Sequence, residues 1–132
     1  MNRFLSSLTV FIVLYCVSPL ASSKELIKEF KGSESRTTAE FEVKAPWIVD
    51  WMTTGDYPGT MAMDVHLVTS PGGVYVGKVV TTKWIDNGVK LFAEGGVYRL
   101  KVDSNLINWT LRVEQLNRQE AESYIPKGQE KD

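Results

Sequence analysis

The sequence predicts an all-β domain, a two-sheet antiparallel β-sandwich of about eight strands with jelly-roll-like closure. Three observations carry this. Period-two alternation of apolar and polar residues recurs roughly every ten to fourteen residues. Gly, Pro, Asn and Asp punctuate the gaps. No segment after residue 24 sustains a helical period.

In chain order, strands are predicted over 25–31, 37–44, 46–53, 60–69, 73–83, 88–93, 97–103 and 107–116. The turns between them are explicit: "TTGDYPG", "TSPGG", "EGG", and "DNG" at Asp86–Gly88 as a tight hairpin signal. Each strand sorts into two faces. Ile107, Trp109, Leu111 and Val113 lie opposite Asn108, Thr110, Arg112 and Glu114, and Tyr98, Leu100 and Val102 lie opposite Arg99, Lys101 and Asp103. Phe41 and Val43 oppose Glu40 and Glu42 in the same way. Sheets with one apolar and one solvated face pack in pairs, apolar faces inward. In "WIVDW", Trp47, Val49 and Trp51 form the inward stripe, and Ile48 and Asp50 are expected to face outward.

Ahead of the strands, Arg3, the apolar run Leu8–Val17 and the small residues to Ser23 have the pattern of a secretory signal peptide. The expected cut follows Ser23. An apolar run of ten residues, Leu8 to Val17, falls short of the ~20 that a spanning helix needs, so no stable membrane insertion is expected after cleavage. Cys16, which would mark a lipid-modified leader, follows bulky Tyr15 where such sites take a small residue. Residues 24–116 then form the β-sandwich domain, and 117–132 a polar, largely disordered tail with room for a short helical turn around Arg118 to Tyr124.

With Cys16 in the leader, no disulfide is available and the domain must fold on its apolar core. Localisation is read as periplasmic or secreted; the lack of Cys favours a bacterial exported protein over a disulfide-dense animal domain. Removing Arg3 changes 15 basic against 16 acidic residues to 14 against 16. The charges alternate instead of clustering, which gives no footprint for nucleic acid or anionic lipid.

Landmarks from Phe30 to Val113 resemble a family of small exported bacterial β-sandwich domains described as CUB-like. They are Phe30 and Gly32; Thr37, Thr38, Phe41 and Val43; Trp47 and Trp51; Gly96, Tyr98, Leu100 and Val102; and Trp109, Leu111 and Val113. The resemblance implies the sandwich fold and a role in adhesion or interaction, with no assigned activity. CUB domains themselves carry disulfides and often a carboxylate calcium site; this chain lacks the first, and the second maps to no residue set.

The catalytic inventory is thin. Asp64 and His66 can share a strand face, but a nucleophilic triad needs a Ser or Thr brought to them, and no G-x-S-x-G motif is present. A single imidazole does not make a zinc site. Asp56, Asp86, Glu94 and Asp103 are oxygen ligands without a calcium-loop spacing. "SPGGVYVGK" lacks phosphate-loop spacing and leads into a strand. "NWT" at Asn108–Thr110 is only a formal glycosylation sequon.

Aromatics remain. Trp109 belongs to the core, and Trp84, Tyr57 and Tyr75 near turns are the ligand-binding candidates. The leading expectation is a non-catalytic protein-interaction module with no cofactor and no metal, its partner an exported protein. The alternatives are binding of a cell-surface glycan through those aromatics, and a hydrolase using Asp64 and His66. The sequence leaves oligomeric state open, and with it β-strand addition at an edge such as 25–31 with Lys28 and Glu29.

Overall fold

A computed structural model describes residues 24–124; the expected leader, 1–23, and residues 125–132 lie outside the described residues. The strands are β1 (Glu25–Gly32), β2 (Arg36–Thr37), β3 (Phe41–Val43), β4 (Trp47–Thr54), β5 (Ala62–Thr69), β6 (Tyr75–Thr82), β7 (Asp86–Phe92), β8 (Gly96–Asn105) and β9 (Asn108–Gln115), followed by helix α1 (Arg118–Glu122). Sheet A runs β1-β9-β4-β7. Sheet B runs β2-β8-β5-β6, with β3 also on β8. All pairings are antiparallel.

Counting β2 and β3 as one interrupted strand gives eight. Every connection crosses between sheets except the β5–β6 hairpin, which is the wrapping of a jelly roll. The interruption has a local cause at Thr38. Its buried hydroxyl accepts the Leu100 N–H at 3.0 Å, a bond that a ladder carbonyl would otherwise take, so the predicted strand 37–44 breaks.

The core between the sheets is the alternation read from the sequence. Phe41, Val43, Trp47, Val49, Tyr98, Leu100, Val102, Ile107, Trp109, Leu111 and Val113 are all buried there, with Trp51 packed against them. Trp47 stacks on Phe92 at 4.7 Å and on Tyr98 at 5.4 Å, and its indole N–H donates to the Glu94 carbonyl at 2.9 Å. Burying a large aromatic stabilises well only when its polar handle is satisfied. At the opposite end Trp109 donates to the Glu34 carbonyl at 3.2 Å, so both buried indoles meet that condition.

Three sequence expectations are corrected. Asp86–Gly88 is no hairpin turn: β6 and β7 lie in different sheets, and these residues sit inside β7, paired to Thr53, Met52 and Trp51. Glycine is required there for space, since a Cβ on Gly88 would lie 2.6 Å from the Trp51 indole. Ile48 points away from the main core as expected, yet it is fully buried, because Leu116 and Ala121 cover it in a second small core flanked by Leu91 and Tyr124. Part of the stretch read as a polar tail therefore folds: Asn117 caps α1, accepting the Glu120 N–H while the Glu120 carboxylate accepts the Asn117 N–H, a capping box.

Each sheet edge carries a device that discourages further strand pairing. The β1 edge has a bulge between Leu26 and Lys28 and presents Lys28, Glu29 and Lys31. On β7, Lys90 lies on the inward face, its ammonium 5.9 Å from the Phe92 ring centre. Two register shifts leave Val76 and Val79 of β6 unpaired. β2 and β3 are two and three residues long.

Candidate functional site

Jelly-roll wrapping brings the β1–β2, β4–β5, β6–β7 and β8–β9 connections to one end of the sandwich. The β6–β7 crossover, Lys83–Ile85, is pinned from beneath by Thr53 of β4, which is 1% exposed. The Thr53 hydroxyl donates to the Trp84 carbonyl at 2.7 Å and accepts the Asp86 N–H at 3.0 Å. The Trp84 N–H donates to the Thr82 hydroxyl at 3.1 Å, and the Gly59 N–H donates to the Lys83 carbonyl at 2.8 Å. The backbone around Trp84 is thus held on every side.

The side chain is not. Trp84 is 56% exposed, Tyr57 58% and Ile85 58%. The benzene edge of the Trp84 indole rests on Gly59, where a Cβ would come within 3.3 Å of the ring; Gly59 also has φ +89°, so glycine suits the position twice over. The tight turn beneath is closed by the Thr60 and Met61 N–H groups donating to the Tyr57 carbonyl at 2.9 and 3.0 Å. Leu106 lies at the same end, in the β8–β9 turn. It is half exposed and held at φ +66°, a left-handed conformation that favours Gly or Asn over a bulky residue, and its carbonyl faces Gly55 of the β4–β5 connection.

The three sequence-predicted aromatics therefore do not form one site. Tyr57 and Trp84 come together through the Gly59 turn. Tyr75, though 60% exposed, opens β6 at the opposite end, seven strand steps or about 23 Å before Thr82. It packs edge-on against His66, ring centres 5.4 Å apart.

Asp64 and His66 do share the outer face of sheet B, His66 Nε2 lying 3.6 Å from Asp64 Oδ1. The hydroxyl nearby is Thr81, and it donates to Asp64 Oδ1 at 2.8 Å instead of to the imidazole. A base-activated nucleophile requires the hydroxyl on the histidine. Among the described residues no hydroxyl bonds to His66, and no group of three or more His, Cys, Asp or Glu side chains gathers as metal ligands. Asp56, Asp86 and Asp103 lie at the Trp84 end, whereas Glu94 lies in the β7–β8 connection at the other.

Charge around the exposed cluster is uneven. Asp56 and Asp86, next to Tyr57 and Ile85, form no ion pair among the described residues. Lys83 instead lines a depression of about 300 Å³ on the outer face of sheet B, together with Asp64 and Asp103, which stand directly opposite each other on β5 and β8.

The outer face of sheet A has a structural polar cluster instead. Arg112 donates to Glu29 at 3.1 Å and to the buried Glu114 at 3.2 Å, and the Lys24 ammonium donates to the Tyr124 hydroxyl at 3.3 Å. Burial, with Glu114 adding to it, pushes the Asp50 carboxyl above its usual range. No helix among the described residues is long and apolar enough to cross a membrane.

No protein-family model matches the chain, and no curated protein is similar to it. The functional reading therefore rests on the geometry. Of the loop-end residues, Trp84 and Tyr57 were legible as exposed aromatics near turns. Ile85, Leu106 and the buried Thr53 were not, since only the crossover and the left-handed turn give them their places.

Proposed function

We propose that this chain is a non-catalytic binding domain, exported by its leader to the periplasm or outside the cell, that docks another protein through the Trp84 loop end. One observation carries the reading: a large exposed indole on a backbone held by hydrogen bonds to the buried Thr53 and Thr82 hydroxyls. Exposed aromatics on rigid supports are the usual energetic anchors of interfaces, because little freedom is lost on docking. The blunted sheet edges weigh against strand addition as the mode of contact. The resemblance to CUB-like interaction domains points the same way. Recombinant domain immobilised on beads is expected to retain a specific partner from exported-protein extract, and Trp84→Ala is expected to lose that partner while keeping wild-type stability. Equal capture by both proteins would sink the reading.

A glycan is the second reading, favoured by the flat exposed indole and by the exposed Tyr57 in the turn on which it rests. Titration with a panel of cell-surface oligosaccharides, followed by tryptophan fluorescence, separates the two. A saturable shift that Trp84→Ala abolishes supports the glycan; a flat response across the panel removes it.

A further inference from the structure

We infer that the segment docking on the Trp84 end is short, extended and basic, with an apolar side chain set between Lys or Arg residues. This rests on the loop-end reading and adds the partner's chemistry to it. Size is the first argument. Tyr57, Trp84, Ile85 and Leu106 are each about half exposed, which amounts to about 400 Å² of apolar side-chain surface, half of the ~800 Å² per partner that a stable complex of folded domains or a self-dimer requires. A few residues of a partner cover such a patch.

Charge is the second. Asp56 and Asp86, adjoining Tyr57 and Ile85 in the chain, form no ion pair among the described residues, and the amine nearest in sequence, Lys83, lines the depression with Asp64 and Asp103. Lys83 is thus one amine lining a depression with two carboxylates, while the two next to Tyr57 and Ile85 form no ion pair among the described residues. Complementary charge of this kind selects partners and orients them.

The test uses two acetylated, amidated peptides, Lys-Leu-Leu-Lys and Glu-Leu-Leu-Glu, titrated into the ¹⁵N-labelled domain. The readout is the Trp84 indole resonance, assigned by its loss in Trp84→Phe. The basic peptide is expected to bind about fivefold more tightly than the acidic one, with the difference erased by 0.5 M salt or by Asp56→Asn combined with Asp86→Asn. Equal affinities, or a preference that survives the double substitution, would overturn the basic partner. If a partner captured from extract still depends on Trp84 in that case, the loop-end reading stands without it. A Trp84→Ala domain whose backbone amide resonances report binding of the basic peptide as tight as wild type's would overturn both. Binding to phosphatidylcholine vesicles through Trp84, with neither peptide bound, would make the occupant a lipid surface and overturn the inference.

Discussion

Replacing Thr53 by Val tests whether the exposed crossover is held from inside. The two side chains have nearly the same shape, and valine keeps the strand preference of β4, so packing is conserved. What is lost is the hydroxyl, which donates to the Trp84 carbonyl at 2.7 Å and accepts the Asp86 N–H at 3.0 Å in a site 1% exposed. Two backbone partners lose a bond to a buried hydroxyl, and each net bond contributes about 1 kcal/mol, more where the orphaned group stays dry. The expected cost is therefore about 2 kcal/mol. For a domain of this size that lowers Tm by about 10 °C. Urea denaturation followed by fluorescence should show a lower midpoint with an unchanged slope, and amide exchange at Asp86 should accelerate. Partner binding should weaken as well, although Thr53 touches no partner. A loss under about 0.5 kcal/mol would refute the pinning, because it would mean the hydroxyl's bonds are matched by water.

Ile48→Ala should cost about 3 kcal/mol in the same assay, as expected for a fully buried aliphatic side chain beneath Leu116 and Ala121. A loss below about 1 kcal/mol would mean that the outer face of sheet A is open there. Asp50→Asn should stabilise the domain at pH 7 and not at pH 3. Burial raises the folded-state pKa of Asp50 above the unfolded value, so the native state holds this proton more tightly and stability falls as pH rises from about 4 through the raised value. Chemical denaturation at pH 3, 5 and 7 checks the sign, and an advantage that is largest at pH 3 would contradict it.

The alternation at Tyr98, Leu100, Val102, Ile107, Trp109, Leu111 and Val113 was enough to read sheets and core, because a strand's period of two is a local property. Departures came where tertiary context decided. Asp86–Gly88 carries turn chemistry, yet the chain crosses between sheets before it and the glycine makes room for Trp51. Ile48 has an outward parity, and only the helix after Asn117 reveals that this outward site is dry. The candidate site was half legible for a related reason. Turn position marks Trp84 and Tyr57 as exposed, but which turns share an end depends on the jelly-roll order, and that order separates Tyr75 from them.

The central claim, that the Trp84 end is the docking surface, is tested most directly by photo-crosslinking from defined positions. A benzophenone amino acid at Ile85, exposed next to Trp84 in the chain, is compared with the same group at Leu26, also exposed, on the outer face of sheet A. Both proteins are irradiated in exported-protein extract. A discrete covalent adduct from position 85, absent from position 26 and lost with Trp84→Ala, is the predicted result. An adduct from position 26 with none from 85 would contradict the account.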